Sequence, residues 1–316
     1  MRVLTARRES IAALSVVVLF ALLAVLIGVA WFNNLPSLLR DVSWLGIVAI
    51  GQAVVIISGE FDLSVGSVYA FVSLIFVMLL NADIGPLPAL LLALLLAALI
   101  GYVNGILTWR LRLPSLLVTL GFLFIYRGLV EYVTGGYALV IPDEIRGSFW
   151  LQLLGGKSFG LHHAVLICAI ILAAFTFVMA RTRFGSHIYA VGGDATAALA
   201  TGVPVGWVKI RAFMISAILA GFAGIITASN LSSVSTTTAT AMEFEAIAAT
   251  IIGGCALLGG AGTVWGALLG VATLLALKHG LILQGINIFA YQIVLGLCLV
   301  GLVAIRGVFP KMFAPH

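Results

Sequence analysis

Long apolar runs separated by short polar breaks dominate this chain. Runs of about 20 apolar residues are long enough to cross a bilayer as helices. The pattern predicts about ten crossings. The second and eighth runs are short and are predicted to be broken or re-entrant, which makes eight the lower bound. We therefore predict an all-α polytopic membrane protein, one transmembrane domain over residues 1–316, with spans at Ile11–Trp31, Val42–Ile57, Leu63–Leu80, Leu87–Leu107, Ser115–Val133, His163–Ala180, Ile210–Ser229, Phe244–Leu258, Val264–Leu283 and Ile288–Ile305.

Composition and charge agree with a membrane protein and suggest its orientation. Hydrophobic residues make up 63% of the chain and charged residues 9%, against about 25% charged in soluble domains. Lys and Arg favour cytoplasmic loops. With the N-terminus inside, the outer segments hold only Arg40, Arg146 and Lys157. The sequence therefore predicts that both termini are cytoplasmic, and that the net charge of +5 reflects topology rather than nucleic-acid binding.

The first run has two interpretations. Arg7-Arg8 before an apolar stretch resembles a secretory signal peptide. Ile11–Trp31 is longer than the roughly 7–15 apolar residues of such a signal. The length favours a retained first helix.

A short internal repeat links the two halves. Asn104-Gly105 precedes Leu120-Gly121, and His279-Gly280 precedes Leu295-Gly296 with the same separation. In the predicted topology the two copies lie at opposite faces of the membrane, which is the signature of an inverted repeat. Inverted repeats suit alternating access, although a short match in a chain rich in Gly and Leu also arises by coincidence.

Four motifs in order along the chain carry a family resemblance. They are the run Gly59–Ser67, the stretch Pro114–Gly128, the segment Gly185–Gly202 and the block Glu243–Gly262. Together they resemble the permease subunits of ribose- and xylose-type ABC importers. Two positions depart from that pattern: Asp194 stands where Asn is usual, and Glu60 stands where a second Gly is common.

The resemblance implies a fold, partners and a place in the cell. The expected fold is like that of type II ABC importers, in the bacterial inner membrane. The expected partners are a cytoplasmic ABC ATPase, a periplasmic sugar-binding protein and a second permease copy or paralogue. The chain itself has no intact P-loop, since Leu151 stands where the first glycine before Gly156-Lys157-Ser158 is required. No cofactor is expected in this chain, and ATP with Mg²⁺ belongs to the partner ATPase.

The polar segment 184–208 is the predicted coupling segment. Thr196–Thr201 is expected to form a short helix that contacts the ATPase, with a carboxylate favouring its N-terminal end and a glycine ending it. The alternative is a merely solvated loop. The predicted coupling residues are Gly192, Gly193, Asp194, Ala197, Ala198 and Gly202.

Two further sites are predicted, one in an outer loop and one along two of the spans. The outer loop Gly135–Gly160 is expected to dock the binding protein through Asp143, Glu144, Arg146 and Lys157. Resemblance to vitamin-B12-type importers suggests a sugar path between two permease chains, along the fifth and tenth spans. Its predicted lining residues, which alternatively only pack helices, are Thr119, Phe122, Tyr126, Tyr291 and Gln292.

The leading hypothesis is a permease that imports a monosaccharide or similar polyol. The alternative is an ion-coupled secondary transporter, which needs ionisable residues inside the membrane. Those that come closest are Arg127, Glu131, Glu243, Glu245 and Lys278, most of them near span ends. Arg127 is expected to bond backbone carbonyls or Glu131. An intramembrane enzyme is disfavoured because no catalytic or metal-ligating set lies at matching depth, and the three cysteines are expected to pack in apolar spans.

The run Gly59–Ser67 also has a structural interpretation. Asp62 or Ser64 can cap the next helix through side-chain oxygens, after a chain reversal at Gly59. We give this interpretation at least the weight of a direct functional contact.

Overall fold

The protein is described by a computed structural model that covers residues 2–308, with side chains for residue 10 and for residues 12–301 except 288, 298 and 299. The side chain of Cys298 and the last eight residues therefore lie outside the described part. Within it the helices are α1 (Arg2–Ile27), α2 (Val29–Ile57), α3 (Val65–Asn81), α4 (Pro86–Arg110), α5 (Ser115–Thr134), α6 (Asp143–Arg146), α7 (Phe149–Gly155), α8 (His163–Arg181), α9 (Arg183–Gly193), α10 (Ala195–Ala200), α11 (Val205–Leu231), α12 (Met242–Ile252), α13 (Val264–Leu283) and α14 (Ile288–Val308).

The long apolar stretches of the chain form helices, and each predicted span overlaps one of them, although the eighth, Phe244–Leu258, extends beyond α12 into a turn. In the described residues, six helices are long and apolar enough to cross a membrane, namely α2, α4, α5, α8, α11 and α13. Two more stretches, Ala12–Ile27 of α1 and all of α3, are apolar but shorter. The prediction of a polytopic all-helical membrane protein is thus confirmed. The predicted count of about ten spans is not confirmed, because six of the described helices meet the length and composition of a span.

Helix α2 is longer than predicted. The predicted span begins at Val42, but α2 begins at Val29, contains Pro36 and includes the charged Arg40 and Asp41. The charges are tolerated because Arg40 Nε donates to Asp41 Oδ1 at 2.9 Å, and Asp41 Oδ2 lies 3.1 Å from His279 Nε2 on α13. Paired charges cost much less to bury than single ones.

Helix α12 is short. Its 11 residues extend roughly 16 Å at 1.5 Å per residue, about half a hydrocarbon core. A non-helical segment, 235–241, precedes α12, and a glycine-rich turn, 253–263, follows it. The predicted eighth span is therefore a half-helix between two irregular segments.

Helix order recurs along the chain. Helix α2 begins at Val29 and α11 at Val205, 176 residues later, while α5 begins at Ser115 and α14 at Ile288, 173 residues later. Between them α3 and α4 correspond to α12 and α13. Packing recurs as well, because α4 packs on α11 as α13 packs on α2.

The two ends of the helical bundle differ. One end, here called the basic end, carries the turns 58–64, 111–114 and 253–263 and the segment 182–204 with α9 and α10, beside Arg110, Arg181, Arg183 and Lys209. The opposite end, here called the ribbon end, carries α6, α7 and two small antiparallel ribbons. These ribbons pair β1 (Leu139–Val140) with β4 (Ser233–Val234), and β2 (Lys157–Ser158) with β3 (Leu161–His162).

Candidate functional site

Helix α10 at the basic end is a short capped helix between α9 and α11. Asp194 adopts an extended conformation and its Oδ1 accepts hydrogen bonds from the backbone N–H groups of Thr196 at 2.8 Å and Ala197 at 3.0 Å. Gly202 follows the helix with φ +85°, a conformation that favours glycine. The N-terminal carboxylate and terminating glycine expected from the sequence are therefore both present.

The predicted coupling residues divide between two faces of α9–α10. Gly193, Asp194, Ala197 and Gly202 are exposed, whereas Gly192 and Ala198 are buried within the chain. Leu199 adds an apolar side chain that is 58% exposed. A partner can therefore reach the four exposed coupling residues and Leu199. Gly192 and Ala198 instead fix the segment to the membrane helices.

The buried face rests on a junction of glycine backbones. The amide of Gly260 donates to the carbonyl of Ile57 at 2.9 Å. A Cβ at Gly192 would collide with that same Ile57 carbonyl and lie 2.6 Å from the Gly260 nitrogen. A Cβ at Gly259 would lie 2.8 Å from the Cα of Gly59. Only glycine permits this approach, so the end of α2, the end of α9 and the turn after α12 form one contact.

An ion pair and a groove lie beside this junction. Lys209 on α11 binds Glu60, and both side chains are mostly buried. Glu60, which departs from the family pattern, thus holds the turn after α2 to α11. Next to the pair a groove of about 700 Å³ opens between α10 and the α4–α5 turn, lined by Glu60, Thr108, Trp109, Arg110, Arg112, Leu113, Pro114, Leu199 and Lys209.

The buried Asp62 joins several helices inside the bundle. Its Oδ1 accepts from the Ser64 backbone N–H at 2.9 Å and the Ser64 hydroxyl at 2.6 Å, and its Oδ2 accepts from Ser216 Oγ on α11 at 3.1 Å. Asn104 on α4 donates to Ser64 Oγ at 2.9 Å. The reversal at Gly59, φ +86°, and the start of α3 support the structural interpretation of this motif.

The predicted path residues lie on two helices with different exposures. Thr119 is buried, and its hydroxyl accepts from the Leu63 N–H at 3.0 Å. Phe122 stacks on Tyr126 with ring centroids 5.4 Å apart, and Tyr126 is also buried. On α14, Tyr291 is buried and Gln292 is exposed. Within this chain, the side chains of Thr119, Tyr126 and Tyr291 are thus buried against neighbouring helices.

A different face of α5 meets the irregular segment 235–241. The Arg127 guanidinium donates to the carbonyls of Thr236 at 3.1 Å, Thr238 at 2.8 Å and Ala239 at 3.2 Å. The expectation that Arg127 bonds backbone carbonyls is confirmed. Segment 235–241 itself was not predicted as a functional element, although its run of threonines before Glu243 marks it in the sequence.

A comparison with protein families decides what kind of protein this is. The model described as branched-chain amino acid transport system / permease component matches residues 34–303. The chain belongs to this family of transport permeases.

Individual relatives agree with the family. The permease is 39% identical over 274 residues to the probable ABC transporter permease protein YphD of Escherichia coli K12, covering 86% of this chain and 81% of that protein. It is 33% identical over 306 residues to the autoinducer 2 import system permease protein LsrC of Photorhabdus luminescens, covering 95% and 90%. The LsrC protein of Yersinia enterocolitica is 33% identical over 303 residues, covering 95% and 82%. No solved structure matches the permease significantly. The resemblance to ABC importer permeases is confirmed.

The ribbon end of the permease carries the predicted docking residues. Asp143, Glu144 and Lys157 are exposed. Arg146 is partly buried, and its Nε donates to the Ile141 carbonyl at 2.9 Å, so it holds the loop as well as presenting charge. Phe159 stands fully exposed at the tip of the β2–β3 ribbon with φ +52°. This end therefore offers an exposed apolar tip and exposed charges of both signs.

Proposed function

We propose that this permease imports a neutral monosaccharide or similar polyol through the bacterial inner membrane, using ATP hydrolysed by a separate ABC ATPase. The observation that carries the proposal is α10, a capped helix with small exposed residues at the basic end of a membrane bundle. Such a surface can lie in a groove of a partner. The chain's single Gly-Lys-Ser tripeptide lacks the rest of a P-loop, which supports the proposal that a separate subunit hydrolyses ATP.

The proposed importer has a defined orientation in the membrane and a defined set of subunits. The basic end faces the cytoplasm, because Lys and Arg favour that side, and both termini are cytoplasmic. The ribbon end faces the periplasm and receives the binding protein through Asp143, Glu144, Arg146 and Lys157. A second permease copy or paralogue completes the membrane part, with the path along α5 and α14.

An inverted repeat with about ten membrane helices is part of the same proposal. Helix α2 ends beside Gly260 at the basic end, whereas α11 ends beside the ribbons, where Ser232 accepts from the Ile141 N–H at 2.9 Å. Corresponding helices therefore run in opposite directions. Inverted halves are a common basis of alternating access.

A branched-chain amino acid is the second substrate class, because the family model carries that description. The names of the LsrC relatives give a different solute, autoinducer 2. An ion-coupled mechanism is less well supported. Lys278 lies 3.0 Å from Glu245, and Arg127 is held by three carbonyls, so these charges have structural partners.

The test is reconstitution of the permease with the ATPase and binding protein that co-purify with it. Uptake into proteoliposomes is measured with labelled D-ribose, D-xylose, D-galactose and L-leucine, each with and without ATP. ATP-dependent uptake of a sugar supports the proposal. Uptake of L-leucine alone, or uptake driven by a proton or sodium gradient without ATP, would refute it.

A further inference from the structure

An unusual stretch of backbone lies beside α5. Segment 235–241 is not helical, and Ala239 and Ala241 have φ of +57° and +62°, a region that residues with a Cβ rarely adopt. Arg127 stabilises this conformation through three carbonyls. Arg127 lies roughly 18 Å along α5 from Ser115 and roughly 10 Å from Thr134, at 1.5 Å per residue. The irregular segment is thus well inside the length of a membrane helix.

Irregular backbone at membrane depth is tolerated only where protein buries it or where it lines a polar cavity. Here a cavity of about 560 Å³ is present. It is lined by Leu123, Arg127, Glu131, Gly136, Thr236, Thr237, Thr240, Ala241 and Glu243. Charged groups of both signs and several hydroxyls therefore share one space beside the start of a half-helix, the arrangement that membrane transporters use for solute sites.

Glu243 has spare hydrogen-bonding capacity. The residue is only 5% exposed, yet its Oε2 has no hydrogen-bond partner among the described residues. A buried carboxylate oxygen without a partner is costly. A Cβ at Gly66 would collide with this oxygen, so the glycine leaves room for the carboxylate at that place. Arg127 engages three of its five N–H groups with the loop. Two N–H donors of Arg127 and one carboxylate oxygen of Glu243 thus have no protein partner among the described residues, and both residues line the cavity.

We propose that the cavity formed by Arg127, Glu243 and segment 236–241 binds the transported solute as a neutral polyol during passage. Adjacent hydroxyls of a polyol each donate and accept a hydrogen bond, which matches a carboxylate beside a guanidinium and threonine hydroxyls. One Arg with two Glu leaves the cavity without an excess of positive charge, so it does not attract anions. The site belongs to α5, but to the face with Leu123, Arg127 and Glu131 rather than the face with Thr119 and Tyr126.

The inference rests on the proposed function, because it assigns a contact for the same solute. The experiment uses the complete importer in proteoliposomes and measures uptake per ATP hydrolysed with labelled D-ribose, D-xylose and D-galactose. Glu243→Gln removes the charged acceptor and is expected to lower this ratio about tenfold. Thr240→Val is expected to lower it about threefold, as the loss of a neutral hydrogen bond.

The matched control is Glu245→Gln, the same change two residues along α12. Glu245 binds Lys278 at 3.0 Å and does not line the cavity, so uptake per ATP should stay at the wild-type value. Binding-protein-stimulated ATPase activity and the melting temperature are measured for every variant, and both should be retained in Glu243→Gln and Thr240→Val.

Two outcomes overturn the inference alone. One is wild-type uptake per ATP in Glu243→Gln, and the other is equal loss of stimulated ATPase activity in Glu243→Gln and Thr240→Val, which assigns the cavity to assembly. If the wild-type importer takes up L-leucine and none of the sugars, the proposed function fails together with the polyol assignment.

Discussion

Replacing Gly192 with Ala should loosen the junction that fixes the predicted coupling segment to the membrane helices. The added Cβ would collide with the Ile57 carbonyl and lie 2.6 Å from the Gly260 nitrogen. Both are backbone atoms, so relief requires moving α9 or breaking the Gly260 N–H to Ile57 bond, 2.9 Å in the native protein. Overpacking costs about 1–3 kcal/mol, and the lost hydrogen bond about 1 kcal/mol.

Gly193→Ala is the matched control. The two glycines are neighbours in α9, but a Cβ at Gly193 would meet nothing within 4 Å. Both substitutions gain the same helix propensity, up to about 1 kcal/mol, so this term cancels in the comparison. The difference between the variants isolates the junction and should be about 2–4 kcal/mol, the sum of the packing and hydrogen-bond terms.

The assay is thermal unfolding of each purified variant in detergent, followed by fluorescence-detected size exclusion. At roughly 2–4 °C per kcal/mol, Gly192→Ala should melt about 5–15 °C below Gly193→Ala. In the reconstituted importer it should also weaken stimulation of ATPase activity by the binding protein. Melting temperatures within about 2 °C of each other would show that the junction tolerates a methyl group, and the reasoning from backbone contact would be wrong.

Further predictions concern both ends of the permease. Ala197→Arg places a charge on the exposed face of α10 and should abolish co-purification of the ATPase without lowering the melting temperature; full co-purification would contradict the coupling assignment. Lys209→Met should destabilise by roughly 1–3 kcal/mol, since it leaves the mostly buried Glu60 unpaired, and adding Glu60→Gln should restore most of the loss in the same melting assay. Lys157→Glu, at an exposed position, should weaken binding-protein-stimulated ATPase activity most at low salt. Stimulation that does not vary across a salt series would remove this end as the docking surface.

Much of the helical framework could be predicted from the sequence because apolar length alone decides it. The fourth span was predicted as Leu87–Leu107, and α4 is Pro86–Arg110. The start of α2 could not be predicted in the same way. Its extension depends on Arg40 and Asp41 meeting each other and His279, which is 238 residues from Asp41. Such pairing is invisible to local hydropathy.

The candidate sites show the same division. Asp194 and Gly202 act locally at the ends of α10, so motif spacing sufficed to predict their capping roles. The burial of Ala198 was not predictable, because it depends on how α10 packs against the rest of the chain. A substitution there tests internal packing rather than partner contact. The Arg127 cavity also required the structure, since its parts are more than 100 residues apart.

The hydrogen bond between Asp62 and Ser216 has a consequence for the insertion of the protein into the membrane during translation. The two residues are 154 apart in sequence, a distance that takes roughly 8–30 s to synthesise at 5–20 residues per second. During that interval Asp62 lacks its partner on α11, so the turn 58–64 should remain at the water interface. We expect the first helices to reach their final packing only after α11 has inserted into the membrane. A chain interrupted before α11 should accordingly be recognised by membrane proteases and removed.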